Sequence, residues 1–136
     1  MTKAKSQNYI GAIGRRKTST ARVRITEAAK HSVIVNDKPV EVYFPTKELQ
    51  KVAMEALRAP EKATKEYAVT VVVKGGGTHS QAEAVRHGIA RALATTDEAL
   101  KTEVKKLGFL KRDPRAKERR KFGLKKARKS SQWSKR

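Results

Sequence analysis

The feature that most restricts this chain is an uneven distribution of charge. Residues 109–136 carry 13 basic and 2 acidic side chains, a net of +11 in 28 positions. Their apolar residues, Phe109, Leu110, Phe122, Leu124 and Trp133, follow no sustained period. Such a segment cannot bury enough surface to offset the entropy of ordering it, so it is expected to be disordered until a partner holds it. Residues 1–108 differ, with 20 basic and 11 acidic side chains and several periodic apolar stretches. The expected organisation is a globular domain over 1–108 and an extended basic tail over 109–136. Gly108 follows an amphipathic run and suits a helix C-terminal cap, which sets the boundary.

Over the whole chain 33 Lys and Arg face 13 Asp and Glu, a formal net charge of +20. A charge this large repels itself in a compact molecule and calls for a polyanionic partner. Nucleic acid fits, because each neutralised phosphate releases condensed counterions. A membrane fits poorly: no run of about 18 apolar residues exists, and no helix sets a basic face against bulky Trp, Phe and Leu. Residues 1–7 lack the apolar core of a secretion signal. The chain has no cysteine, which fits a reducing compartment and excludes thiol catalysis and Cys-based zinc sites. His31, His79 and His87 share no ligand spacing, so no metal and no cofactor is expected. No Ser-His-Asp, Cys-His or paired-carboxylate set can be assembled, and the chain reads as non-enzymatic.

The domain predicts several strands, a helix, a strand and two helices. This is an α/β (α+β) two-layer fold with a mixed sheet, followed by the tail. Residues 9–13 and 21–26 read as strands joined by a basic loop. In the second, Ala21, Val23 and Ile25 alternate with Arg22 and Arg24, giving an apolar and a cationic face. Residues 32–35 and 40–44 read as strands flanking Asn36-Asp37-Lys38-Pro39, a hairpin signal. Pro45-Thr46 opens a helix that buries Leu49, Val52, Ala53, Ala56 and Leu57 and ends before Ala59-Pro60. Residues 66–73 form the most apolar stretch, expected to be a strand buried on both faces. Thr78 with Gln81, and Thr95 with Glu98, are capping-box patterns that start two helices. The first turns Ala82, Val85, Ile89, Ala92 and Leu93 inward and Glu83, His87 and Arg91 outward. The second turns Leu100, Val104 and Leu107 inward.

Three motifs carry the functional reading. Gly14-Arg15-Arg16-Lys17-Thr18-Ser19-Thr20 packs three cations and three hydroxyls into one loop, a set suited to phosphate. Charge reversal at Arg16 and Lys17 is expected to weaken RNA binding without unfolding the domain. Gly75-Gly76-Gly77 precedes a helix N-terminus. No Walker or GxGxxG pattern accompanies it, so it reads as a tight turn that lets the backbone approach an RNA phosphate, near Thr78, His79 and Arg86 or His87. The tail strings together Lys111-Arg112, Arg115, Arg119-Arg120-Lys121, Lys125-Lys126, Arg128-Lys129 and Lys135-Arg136, cations able to follow a folded RNA backbone. Trp133 either stacks on a base or ribose or is a chance exposed aromatic. Two other classes compete: a general or nucleoid-type nucleic-acid-binding protein, and a small-molecule kinase-like enzyme.

These residues also resemble the S-nine family of small-subunit ribosomal proteins. The likeness runs through Gly14-Arg15-Arg16-Lys17-Thr18-Ser19-Thr20-Ala21-Arg22-Val23, Gly75-Gly76-Gly77 with Gln81-Ala82, and Arg86-His87-Gly88-Ile89-Ala90-Arg91-Ala92-Leu93. It continues in Asp113-Pro114-Arg115, Glu118-Arg119, Gly123-Leu124-Lys125-Lys126-Ala127-Arg128 and Gln132-Trp133-Ser134-Lys135-Arg136. The resemblance is of bacterial type and covers roughly residues 8–136. It implies a body like the second domain of ribosomal protein S-five, and a structural role in the small ribosomal subunit in the cytoplasm. The implied partners are the 3′ major (head) domain of small-subunit ribosomal RNA, neighbouring head proteins and P-site tRNA, with no homo-oligomer. The rRNA contacts are expected at Arg15, Arg16, Lys17, Thr18, Arg22, Arg24, Gly75, Gly76, Gly77, Thr78, Arg86, His87 and Arg91. In the tail they are expected at Lys111, Arg112, Arg115, Arg119, Arg120, Lys121, Lys125, Lys126, Arg128 and Lys129. Ser134, Lys135 and Arg136 are implied to meet tRNA. The sequence departs from the family in two places: Trp133 stands where Phe or Tyr is common, and Asp37 where the hairpin usually has glycine.

Overall fold

A computed structural model describes residues 8–61 and 64–135. Nine elements follow in chain order: β1 (Ile10–Arg16), β2 (Ser19–Ala28), β3 (Ser32–Val35), β4 (Lys38–Pro39), α1 (Val40–Tyr43), α2 (Lys47–Arg58), β5 (Glu66–Lys74), α3 (Thr78–Thr96) and α4 (Glu98–Lys106). The strands form one mixed sheet in the order β1-β2-β5-β3-β4, with β3–β5 the parallel pair. Helix α3 packs on β1, β2 and β5, and α2 and α4 pack on α3. This is the two-layer α/β architecture that the element order predicts.

The core follows from alternation. Ala21, Val23 and Ile25 of β2 and Tyr67, Val69, Val71 and Val73 of β5 are buried against Val85, Ile89, Ala92 and Leu93 of α3. Each fully buried valine or leucine contributes roughly 1.5–3 kcal/mol of transfer free energy. Strand β5 is not buried on both faces: Thr70 and Val72 are exposed. All the helices lie on one side, so the β-branched run meets solvent on the other. Packing between strand and helix is unusually close. A Cβ on Gly14 would stand 1.9 Å from the Ala84 carbonyl oxygen and 2.3 Å from the Gly88 nitrogen.

Several local expectations are corrected. The basic loop is a hairpin: β1 runs through Arg16, Arg16 pairs with Ser19, and only Lys17 and Thr18 turn, with Lys17 at φ +52°. Residues 40–44 are not a strand. Pro39 offers no N–H to continue the ladder, and Val40 starts one helical turn instead. The preceding turn is Asn36-Asp37 alone, with φ of +47° and +64°. These are the left-handed values of a type I′ hairpin, so Asp37 bears the strain that a glycine would avoid, about 1 kcal/mol.

Helix α2 begins as expected, with Thr46 accepting from the Leu49 amide (3.4 Å). The α3 cap falls one residue earlier than predicted, at Gly77, where Ser80 Oγ accepts the Gly77 N–H at 3.1 Å. The α4 cap is Asp97, accepting from Ala99 N at 2.9 Å, while Thr95 lies within α3 and bonds the Arg91 carbonyl. Leu100 and Val104 are buried as expected, but Leu107 is 47% exposed because it occupies the C-cap. Gly108, at φ +79°, ends α4: its N–H reaches the Lys105 carbonyl and the Phe109 N–H the Val104 carbonyl, a Schellman motif.

Both sheet edges are partly blocked. On β1 the Ile13 carbonyl accepts from Arg91 Nη1 (2.6 Å), and the Arg15 N–H donates to His87 Nδ1 (3.2 Å). The other edge, β4, is two residues long and contains Pro39.

Candidate nucleic-acid interface

The face of the sheet away from the helices has no covering element. Register puts Ile13, Arg22 and Val72 in one row, and Gly11, Arg24, Thr70 and Ile34 in the next. Arg15, Thr20 and Lys74 make a third. Arg22 and Arg24 are exposed, as the alternation of β2 predicts. The Arg24 guanidinium lies 4.7 Å from the centre of the Tyr9 ring, a cation–π contact that holds both groups toward solvent. Lys74 and Tyr9 were not singled out in the sequence reading. The odd–even parity of β5 could have found Lys74; Tyr9, expected to open the first strand, lies one residue before β1.

At one end of this face the β1–β2 hairpin meets the glycine turn. Ser19, buried in the hairpin, donates from Oγ to the Gly75 carbonyl (2.8 Å), and the Ser19 and Ser80 hydroxyls share a hydrogen bond (2.7 Å). A Cβ on Gly76 would stand 2.1 Å from Ser19 Oγ, and one on Gly75 2.6 Å from the Thr18 carbonyl. Both glycines also have positive φ, at +78° and +67°. Packing against the hairpin and turn geometry therefore account for Gly75 and Gly76. Gly77 is different: a Cβ there meets nothing within 4 Å. Thr78 begins the helix beside it and is exposed. A polar chain fixes the turn from below. Asn36 Nδ2 donates to Val73 O and to Tyr43 Oη, Tyr43 Oη donates to Gln81 Oε1, and Gln81 Nε2 donates to Gly75 O. Asn36 Oδ1 also accepts the Val73 N–H, so a side chain extends the ladder past β3.

Ion pairing divides the candidate arginines into two groups. Arg16 is 12% exposed at its side chain and has only protein partners: Glu83 Oε2 at 2.7 Å, the Arg115 carbonyl at 2.7 Å and Asp113 Oδ2 at 3.4 Å. Charge reversal there would set a third carboxylate beside Glu83 and Asp113, so it would disturb folding as well as binding. Arg86 bonds Glu55 of α2 (2.8 Å) and covers the Phe109 ring at 5.1 Å. Arg115 chelates Asp113, and with Arg16 it holds that carboxyl far below the usual carboxylate range. Glu83 and His87, expected on the outward face of α3, turn instead toward β1 and the tail. Burial pushes the His87 imidazole below its ordinary value, and the Arg91 and Arg112 charges add to this. Among the described residues, Arg15, Lys17, Arg22, Arg24, Arg91, Lys111 and Arg112 form no salt bridge.

Three of these unpaired arginines share one open groove of about 760 Å³, lined by Gly11, Ala12, Ile13, Arg15, His87, Arg91, Leu110 and Arg112. No carboxylate lines it. Beyond Arg115 the tail is exposed except at Leu124 and Ala127, which are half-buried. Lys125 N reaches the Lys129 carbonyl (2.8 Å), Leu124 and Ser130 form an isolated bridge, and Glu118 pairs with Lys121 and Arg128. Arg119, Arg120, Lys121, Lys125, Lys126, Arg128, Lys129, Ser134 and Lys135 all face solvent, and Trp133 is 81% exposed. Arg136 lies outside the described residues, as does the segment 1–7. Among the described residues no His, Asp and Glu group stands at metal-binding spacing, and no helix is long and apolar enough to cross a membrane. The sequence model of the family described as Ribosomal protein S9/S16 matches residues 14–136.

Proposed function

The chain belongs to the ribosomal protein S9/S16 family, and from that premise we propose that its body docks on the 3′ major (head) domain of small-subunit rRNA while its tail reaches P-site tRNA. Membership makes it a structural, RNA-binding component of the small ribosomal subunit that serves translation. The finer reading assigns the body's docking surface to the open sheet face, with Arg22, Arg24, Lys74 and Tyr9, and to the hairpin tip at Lys17 and Thr18. Gly77 and Thr78 admit a phosphate to the turn. From Ala116 onward the tail orders along the RNA, and Ser134, Lys135 and Arg136 meet tRNA phosphates. Those contacts are sequence-independent, as any tRNA must be accepted. The protein acts as a single copy beside other head proteins, in cytoplasmic ribosomes.

The observation that carries this reading is the split among cations. Those on the open face, the hairpin tip and most of the distal tail have no carboxylate partner among the described residues, so their charge remains for a polyanion. The test is co-sedimentation with small subunits after a high-salt wash, with Lys135 and Arg136 deleted in parallel. Retention of both forms, with weakened P-site tRNA only for the deletion, is expected. Loss of the deletion variant from subunits would contradict the division between body and tail. Equal affinity for duplex DNA and small-subunit RNA at fixed salt would favour a general nucleic-acid binder instead.

A further inference from the structure

The first residues after α4 do not leave the body. Phe109 and Leu110 are half-buried against the core, with Phe109 under the Arg86 guanidinium and Leu110 beside His87 in the lining of one groove. Asp113 and the Arg115 carbonyl both receive the Arg16 guanidinium, which Glu83 steadies from α3. Four contacts from β1 and α3 therefore fix a stretch whose composition alone predicts disorder. The contacts at Leu110 and Asp113 hold the backbone on either side of Arg112, which lines the acid-free groove with Arg15 of β1 and Arg91 of α3. Arg91 spends one N–H on the Ile13 carbonyl and keeps the rest of its donor fork.

We propose that residues 109–115 form a clasp on the body and, by fixing Arg112 beside Arg15 and Arg91, complete a three-arginine groove for phosphodiester groups of an RNA backbone. Arg16 and Asp113 are positioning residues here and touch no RNA. The groove's ligand rests on the RNA-binding reading above; the clasp does not. The three arginines come from three elements, so the site exists only while the clasp is shut. Preorganised in this way, the groove binds phosphate without the ordering cost that the free tail must meet.

The experiment uses the full chain in two arms. In the first, trypsin acts on the free protein. Cleavage after Lys111 and Arg112 is expected at least about tenfold slower than after Arg119 and Arg120, since fixed backbone resists proteolysis. Asp113→Ala should remove that difference. Equal rates in the unaltered chain overturn the clasp. In the second arm a transcript of the 3′ major domain of small-subunit rRNA is titrated. Arg112→Gln, which touches no protein partner, should lower affinity roughly fivefold and reduce the salt slope by about 0.7–0.9. Asp113→Ala should also weaken binding, although it removes a negative charge and simple electrostatics predicts the reverse. Tighter binding by Asp113→Ala, or an unchanged slope for Arg112→Gln, overturns the groove. If the unaltered chain fails to bind the transcript, the RNA-binding reading and the groove's ligand fall together, while the trypsin arm still decides the clasp.

Discussion

Residues 8–115 and residues 116–135 are both rich in arginine, yet they use it differently. In the first region Arg16, Arg86 and Arg115 have carboxylate partners, and two of them bridge elements far apart in sequence, such as Arg16 to Glu83 or Arg86 to Glu55. In the second, Glu118 is the sole carboxylate facing nine described cations, and it engages only Lys121 and Arg128. A guanidinium therefore serves as a strut where acids are interleaved with it in space, and as a free charge where they are not. Identical side chains acquire opposite roles from their neighbours' register.

The largest test of this contrast removes one region. Truncation after Arg115 should leave the body folded, while the salt slope of RNA binding falls by roughly 4 if about six tail phosphates are lost at about 0.7 each. A slope indifferent to truncation would remove the tail from the interface. Next in size is a lesion in the body alone. Gly14→Ala drives a methyl into the backbone of α3 and should cost roughly 3 kcal/mol or more, read as a fall in Tm or in denaturant midpoint. Native stability in that variant would mean that β1 and α3 are less tightly apposed.

A smaller effect separates strut from free charge. Arg16→Ala should lower stability by about 2 kcal/mol, the scale of charged hydrogen bonds lost from a mostly buried group. Arg22→Ala, on the open face, should change stability by less than about 0.5 kcal/mol while weakening RNA binding. Interchanged outcomes would dissolve the distinction. The smallest effect is that of pH. His87 has a lowered pKa in the folded state, so its contribution is complete above its ordinary value near 6.5. It declines as pH falls through the lowered folded value, because protonation places a charge on a half-buried ring beside Arg91 and Arg112. A His87→Gln chain should show a flatter stability profile over that acid range; an identical profile would count against His87 as the cause.

Much of the architecture was legible because it follows period and cap chemistry. The apolar–cationic alternation of β2, the buried stripe of α3 and the glycine stop at 108 all stand in the structure where the residues imply them. The failures have a common cause. Residues 14–16 look like a loop because they are polar, yet β2 pairs with them. Residues 40–43 look like a strand because they are β-branched and aromatic, yet Pro39 ends the ladder. The one-sidedness of β5 depends on where the helices lie, which its own residues do not encode. Likewise no local pattern distinguishes Arg15, an unpaired charge, from Arg16, a strut. The partners of Arg16 come 67 and 97 positions later, and only tertiary register brings them near.

The two partly blocked edges of the sheet bear on the life of the molecule away from RNA. A basic protein made in excess of its polyanion accumulates free in solution, where exposed strand edges template stacking of one copy on another. Here β1 has its Ile13 carbonyl and Arg15 amide already taken by Arg91 and His87, and β4 ends on a proline with no amide to give. Each edge therefore offers a second sheet fewer free groups than a bare strand would. The helix that lines the groove with Arg91 and His87 thus also occupies hydrogen-bonding groups of the β1 edge, which lowers the tendency of free copies to pair through it.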